Sequence, residues 1–366
     1  MMKNSQQIAT KEEEDCLRAI QYATSTVLPF ALKTAVDLDL FEIIAESGPD
    51  SKVSASEIVS KLPANNPNAA DIVDRILRFL TTHSVLDCDL VTDRDGITTR
   101  LYGVSSIGRY FLRREDGISV VPMLNLTMDR RLIECWNFLK EATLEGGLSF
   151  ERAFGEDMFE VVSKDEQLAN TFNQSMSNHT AIVMQKVLQL YKGFEGLTQV
   201  IDVGGGLGTN LKLIVSKYPQ IKGINFDLPL VIKNAPNIPG VKHVGGDMFS
   251  KIPNGEVIFI KWVLHDWGDD ECLKLLRNCC EAIPECGKVI VIESIMPELP
   301  STDVVTTTTI QFDVGLLHLL PGAKERTFKQ LHTLAIQAGF SALKPICRVY
   351  NYWVMELLKN IRNSPH

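Results

Sequence analysis

The sequence predicts an α/β protein of two domains: a mostly parallel sheet covered by helices, and ahead of it a mainly helical, winged-helix-like domain. Three observations carry that expectation. From residue 198 onward short apolar runs recur between helical stretches, the pattern of strands alternating with crossover helices. The first of those runs feeds a glycine-rich turn, Gly204-Gly205-Gly206-Leu207-Gly208. Residues 12–115 keep helical periodicity with one hairpin-like interruption. A chain of 366 residues is too long for one average domain and suits two.

Composition removes several function classes. With 37 basic against 45 acidic residues the net charge is −8, which repels nucleic acid and anionic membrane surfaces alike. No apolar run reaches the roughly 20 residues that span a bilayer. Residues 1–15 are polar and charged rather than signal-like, so the cytosol is the expected compartment. Eight cysteines (Cys16, Cys88, Cys135, Cys272, Cys279, Cys280, Cys286, Cys347) show no paired C-x-x-C spacing and read as reduced thiols rather than metal ligands. There is no internal repeat, and only the run 306–309 is of low complexity.

In the first domain, residues 22–44 are apolar almost all round and predict one helix that needs cover on more than one side, most simply from a second copy of the chain. Ser54 with Glu57 three residues on predicts a capping box. Residues 71–80 predict a helix with apolar Ile72, Val73, Ile76, Leu77 and Leu80, followed by the hairpin up to Tyr102. The shape is that of a winged helix. Its recognition helix offers only Arg75 and Arg78, which argues against DNA. Residues 116–195 read as a linking helical region, with helices over 123–143 and 168–191.

The last part, residues 196–366, holds strands over 199–203, 223–226, 257–260, 288–292 and 351–357, with helices over 210–217, 272–282 and 329–338. In such sheets ligands lie beyond the carboxyl ends of the strands. Three features meet there. Glycines at the first strand end let the backbone approach a ligand closely. Asp227 ends the next strand about twenty residues on, where a carboxylate can accept from both hydroxyls of a ribose. Asp247, followed by Met248, ends the third; a carboxylate there can accept from an adenine amine while the thioether packs on the ring. A dinucleotide fingerprint counted from Gly204 would place its last glycine where this chain has Thr209. One adenosyl moiety therefore fits better than a nicotinamide dinucleotide.

The blocks 204–209, Asp227, Gly246-Asp247-Met248, Lys261-Trp262-Val263-Leu264-His265-Asp266-Trp267 and Gly322 with Lys324-Glu325-Arg326-Thr327 resemble, in identity and order, the plant caffeic acid and catechol O-methyltransferase family. The resemblance spans residues 27–357. It implies a Rossmann-like methyltransferase domain with a seven-stranded sheet, a winged-helix-like dimerisation domain, a homodimer, S-adenosylmethionine as methyl donor, S-adenosylhomocysteine as by-product, no metal, and a phenolic acceptor. It also implies that Gly204, Asp227 and Leu228 hold the ribose and methionine portions, that Asp247 and Met248 hold the adenine, and that Lys261 lines the cofactor.

Transfer of a methyl group from a sulfonium to oxygen is an in-line displacement that needs a deprotonated hydroxyl. For a phenol with a pKa near 10 the deficit at pH 7 is roughly 4 kcal/mol. His265, just beyond the strand over 257–260, matches the family's base, and Glu293 and Glu325 match the two carboxylates that orient it. Asp266 either caps the next helix or faces the substrate. By the same resemblance the acceptor pocket includes Leu126, Leu132, Met158, Val162, Phe172, Met176, His179, Phe312, Gly315, Leu316 and Leu320. Caffeate-type members carry asparagine at the position of Leu320 and histidine at that of Val162. Two polar handles are lost, which points to a more apolar acceptor such as a simple catechol, a flavonoid, a coumarin or an alkaloid phenol.

Overall fold

The computed structural model describes residues 10–48, 51–113, 116–317 and 319–360. They form two compact units, Met1–Met128 and Asp129–His366. The domain boundary expected at residue 115, and the first nine residues of the polar N-terminus, lie outside the described residues.

In the first unit, five helices, Lys11–Ala23, Val27–Asp37, Leu40–Ala45, Ala55–Ser60 and Ala69–Thr82, precede an antiparallel hairpin of β1 (Leu86–Thr92) and β2 (Thr98–Val104). The Ser54 capping box is present, with the Glu57 N–H donating to Ser54 Oγ at 3.2 Å and the Ser54 N–H to Glu57 Oε2 at 2.7 Å. Val53 pairs with Tyr102 in an isolated antiparallel bridge beside the hairpin. Phe41, Ile44, Ile58, Leu77, Leu80 and Tyr102 form the core. The single helix expected over 22–44 is instead broken, because Leu38 ends one helix and Asp39 starts the next at φ +51°, a conformation that Asp tolerates better than most residues. Residues 123–143 are broken likewise, into Val121–Thr127, Arg130–Cys135, a 3₁₀ turn Trp136–Phe138 and Leu139–Glu145. Asp129 is the cause there: extended itself, it caps the next helix by accepting from the Arg131 N–H at 2.9 Å.

The second unit is built on a seven-stranded sheet. Its strands are β3 (Gln199–Val203), β4 (Lys222–Asp227), β5 (Val241–Gly245), β6 (Val257–Lys261), β7 (Lys288–Ser294), β8 (Ala342–Val349) and β9 (Tyr352–Leu358). They lie in the order β5-β4-β3-β6-β7-β9-β8. The five from β3 to β7 run parallel, and β9 is antiparallel to both β7 and β8. Strand order reverses at β3, between β4 and β6, so the crevice opens beside the glycine turn. Alternate residues of the central strands feed two cores. Ile201, Ile258, Ile260 and Val291 pack with Leu275, Leu276, Cys279 and Leu334 on one side. Val200, Phe259 and Ile290 pack with Val187, Leu188 and Ile214 on the other, under the 25-residue helix Glu166–Leu190. All eight cysteines are unpaired, and Cys272, Cys279 and Cys280 are core residues of the helix Asp269–Ala282. Among the described residues no helix is long and apolar enough to cross a membrane.

Candidate active site

The glycine turn follows β3 and ends on the helix Thr209–Lys217. Gly204, Gly206 and Gly208 sit at φ +70°, +56° and +86°, where side chains are strained. Asp227 at the end of β4 ties the turn down: its Oδ2 accepts from the Gly206 N–H at 2.8 Å and its Oδ1 from the Leu228 N–H at 2.7 Å. Each oxygen keeps a free lone pair, which suits two ribose hydroxyls. Leu228 leaves 55% of its surface exposed, an apolar face at the rim. Asp247 accepts from the Phe249 N–H at 2.9 Å and Ser250 Oγ at 2.8 Å, is exposed, and likewise keeps lone pairs outward, with half-buried Met248 next to it. These features fit an adenosyl group. Beside the turn opens a polar cavity of about 640 Å³, lined among others by Asn173, Gln174, Ser177, Leu207 and Asn234.

Sequence reasoning missed the groups that hold the turn from beneath. Asp202, fully buried in β3, accepts from Asn210 Nδ2 at 3.2 Å, and burial pushes its carboxyl up to about 7. Asn225 donates to the Gly206 carbonyl at 2.9 Å and meets His243 Nδ1 at 3.1 Å. A carboxylate inside the apolar run Val200-Ile201-Asp202-Val203 was the available signal. A Cβ on Gly205 would fall 2.1 Å from Asn225 Oδ1 and 2.6 Å from Asp202 Oδ2. Gly205→Ala is therefore expected to weaken S-adenosylhomocysteine binding at least ~10-fold by calorimetry; unchanged affinity would contradict a cofactor role for this turn.

His265 lies on a single 3₁₀ turn, Leu264–Asp266, just beyond β6. The imidazole is buried, and its Nδ1 donates to Glu325 Oε1 at 2.9 Å. Glu293 stands farther off, 3.9 Å from Nδ1. Its other oxygen accepts from the N–H groups of Val263 at 3.0 Å and Leu264 at 2.8 Å, so it grips the backbone of the turn. Asp266 does not cap the following helix, whose N-cap is Gly268; instead its Oδ1 lies 3.4 Å from His265 Nε2. Burial alone would lower the proton affinity of His265, but the carboxylates of Asp266, Glu293 and Glu325 outweigh it and raise the pKa to about 10. Burial also pushes Glu293 up to about 7 and Asp266 up to about 6. Lys261 is buried and lowered to about 8, with its ammonium donating to Thr180 Oγ1 at 3.1 Å.

Trp262, at φ +57°, opens the turn and stacks on His179 with ring centroids 3.7 Å apart. His179 Nε2 meets Tyr352 OH at 3.0 Å, and burial holds its imidazole neutral, far below its ordinary pKa. Phe312 packs edge-on to both, 5.5 Å from Trp262 and 6.5 Å from His179. Met158, Val162 and Phe172 gather in a separate small apolar cluster with Cys135, Phe150 and Leu319. Leu316 and Leu320 lie one turn apart, with Leu320 buried, and Met176 and Gly315 are half-buried. Leu132 is buried in the second unit, and Leu126 in the helix Val121–Thr127 of the first. Trp262 stands in the block 261–267 but receives no role from the sequence, and Tyr352 carries no local motif.

His265, Glu293 and Glu325 also offer three donor atoms within 4.8 Å of one another, a set that could hold a cation. Glu293 Oε1 is taken by backbone N–H groups and Glu325 Oε1 by the imidazole, while Oε2 of each glutamate is buried without a hydrogen-bond partner.

The sheet order, the glycine turn and the acid-lined imidazole define a Rossmann-like, small-molecule methyltransferase. The sequence model of the O-methyltransferase domain matches residues 136–341, and that of the O-methyltransferase dimerisation domain matches residues 20–114. The chain is 50% identical over 356 residues to a caffeic acid 3-O-methyltransferase of Catharanthus roseus, covering 97% of this chain and 98% of the relative. It is 47% identical over 353 residues to an esculetin O-methyltransferase of Kitagawia praeruptora, covering 96% and 97%. Human N-acetylserotonin methyltransferase, solved with S-adenosylmethionine, shares the fold with a TM-score of 0.80 at 22% identity, over 97% of this chain and 100% of that one. The chain belongs to the plant caffeic acid and catechol O-methyltransferase family, and it is an S-adenosylmethionine-dependent O-methyltransferase.

Proposed function

We propose that the enzyme methylates a hydroxyl of a small phenolic or catecholic plant metabolite, with His265 drawing off the hydroxyl proton as the methyl group is transferred. The observation that carries this is the 2.9 Å contact between His265 Nδ1 and Glu325, which leaves Nε2 as the proton-accepting atom. When bound, S-adenosylmethionine supplies an electrophilic methyl carbon on a sulfonium; Gly204, Asp227, Leu228, Asp247, Met248 and Lys261 are the residues that would hold it. His265 is buried among carboxylates that raise its proton affinity against the effect of burial, which stabilises the imidazolium that forms as it takes the hydroxyl proton. Glu325 fixes the tautomer, and Glu293 fixes the backbone that carries the ring. Asp266 faces Nε2 at 3.4 Å and would meet a second hydroxyl next to the reacting one.

The acceptor we favour is less polar than caffeate, because Leu320 is buried and Val162 lies in an apolar cluster. A simple catechol, a coumarin such as the esculetin of the relative named above, a flavonoid or a phenolic alkaloid all fit. Incubation with labelled methyl donor and a panel of these, alongside caffeate, tests the reading; label on none of the hydroxyls would refute it. Leu320→Asn is expected to shift kcat/KM toward caffeate by ~10- to ~100-fold relative to the simple catechol, measured as a ratio on the two acceptors. A metal-free reaction is expected to keep its full rate in excess EDTA; loss of rate restored by a divalent cation would instead make the His265 cluster a metal site.

A homodimer through the first unit is supported by the dimerisation-domain match and by the exposed apolar side chains of Leu17, Ile20, Tyr22, Val27 and Phe30. The same reading keeps 1–115 as dimerisation domain, 116–195 as linking helices and 196–366 as catalytic domain. Eight unpaired cysteines support a cytosolic location, which fractionation checks.

A further inference from the structure

We propose that Arg326 is a positioning residue for methyl transfer, clamping the turn that carries His265 at a fixed distance from Glu325. The proposal rests on the reading of His265 as the base. Three consecutive residues engage that turn. The Lys324 N–H donates to the His265 carbonyl at 2.9 Å. Glu325 Oε1 accepts from the imidazole at 2.9 Å. Arg326 donates from Nη1 to the Leu264 carbonyl at 2.7 Å and from Nη2 to the Trp267 carbonyl at 2.6 Å. Its Nε reaches Asp269 Oδ1, at the start of the next helix, at 2.9 Å. The side chain is 1% exposed.

The turn needs such a clamp for reasons visible in its own backbone. It opens at Trp262 with φ +57°, a conformation that a bulky residue keeps only when its surroundings over-determine it. A single 3₁₀ turn has weak hydrogen bonds of its own. Its N–H groups are taken by Glu293 on one side. Its carbonyls, at Leu264 and Trp267, are taken by Arg326 on the other, with the Cys272 thiol sharing Leu264 at 3.1 Å. A planar guanidinium fork can serve two carbonyls and a carboxylate at once, whereas an ammonium cannot match that geometry. The backbone of Arg326 is itself anchored beyond the end of β7, where it bridges Ile295 and accepts from the Met296 N–H at 2.9 Å. None of the hydrogen bonds that hold Asp227 or Asp247 involves Arg326, so the clamp is separable from the cofactor-binding groups.

The test compares full-length Arg326→Gln, Arg326→Lys and His265→Gln with the wild type. The readouts are steady-state kinetics on catechol across pH and calorimetric titration with S-adenosylhomocysteine. For Arg326→Gln the expected result is kcat lower by ~10²-fold with by-product affinity unchanged. Arg326→Lys should fall between that variant and the wild type. In both, the acid limb of the pH profile should move to lower pH, because the imidazole no longer faces Asp266, Glu293 and Glu325 at fixed distances, with neutral His179 beyond them. Unchanged kcat, or a lower kcat with an unshifted limb, overturns the clamp. Should Arg326→Gln fail to bind the by-product and so report misfolding, Arg326→Lys decides on the same readouts. Turnover by His265→Gln would refute the base reading itself, whereas an inactive His265→Gln beside a fully active Arg326→Gln would refute only the clamp.

Discussion

His265→Gln is expected to lower kcat by ~10³- to ~10⁴-fold, at the upper end of what a positioned base contributes, while S-adenosylhomocysteine binds as it does to the wild type. The two halves of this expectation have separate physical grounds. Glutamine cannot take up a proton at neutral pH, so the phenol must lose its own to solvent, a deficit of roughly 4 kcal/mol at pH 7. The glycine turn is held from other directions, by Asp227 above and by Asn225 beneath it. Loss of the imidazole leaves those bonds in place. Rapid-quench measurement of one turnover, with a calorimetric titration of the by-product, checks both halves together. Near-normal methylation by the variant would remove His265 from the mechanism.

The next largest effect belongs to Glu325→Gln, for which kcat is expected to fall by ~10³-fold. An amide can donate as readily as it accepts. Facing Nδ1 with an N–H, it would hold the imidazole in the tautomer that carries its proton on Nε2, the wrong nitrogen for a base. The pH profile gives a second, independent sign. Three carboxylates raise His265 to about 10 against the opposing effect of burial. A step that needs the unprotonated base gains tenfold per pH unit until its pKa is passed, and then levels. Removing one carboxylate lowers that pKa, so the limb of the variant should level off at lower pH than that of the wild type. Profiles that superimpose after scaling would mean that Glu325 acts on something other than the imidazole.

Much of the catalytic unit is legible in the sequence because its signals are local. The strand over 199–203 is a short apolar run closed by glycines, and β3 has those bounds. Asp227 and Glu293 each follow such a run, so strand ends and acids are read together. The two outer strands were harder. β5 has a mixed burial pattern and was read only through the acid that follows it. β8 holds Pro345 and an irregular register, which an edge strand tolerates and a sequence pattern does not advertise. The helices of the first unit failed for another reason. Continuous apolarity over 22–44 hides the breaks near Thr24 and Asp39, which depend on turn geometry rather than on hydrophobic period.

The site itself divides in the same way. His265 and Glu325 stand in quoted blocks and Glu293 at a strand end, yet the unequal roles of the two glutamates appear only in three dimensions, where one touches the imidazole and the other the backbone. Tyr352 reaches His179 from a strand far along the chain, and Asp202 works from inside the sheet. The Tyr352–His179 contact spans 173 residues and leaves no trace in local spacing, whereas Asp202 shows as a carboxylate inside an apolar run. The pocket residues carry the weakest signal of all, since an apolar stripe on a helix reads the same whether it lines a core or a ligand.

The central claim is that an imidazole oriented by Glu325 takes the proton from the hydroxyl that is methylated. A crystal structure of the enzyme with S-adenosylhomocysteine and its preferred acceptor tests this most directly. The account predicts the reacting oxygen about 2.6–3.2 Å from His265 Nε2, on the side of the ring away from Glu325 and in line with the sulfur. A reacting oxygen bonded to another side chain, with the imidazole turned elsewhere, would contradict it.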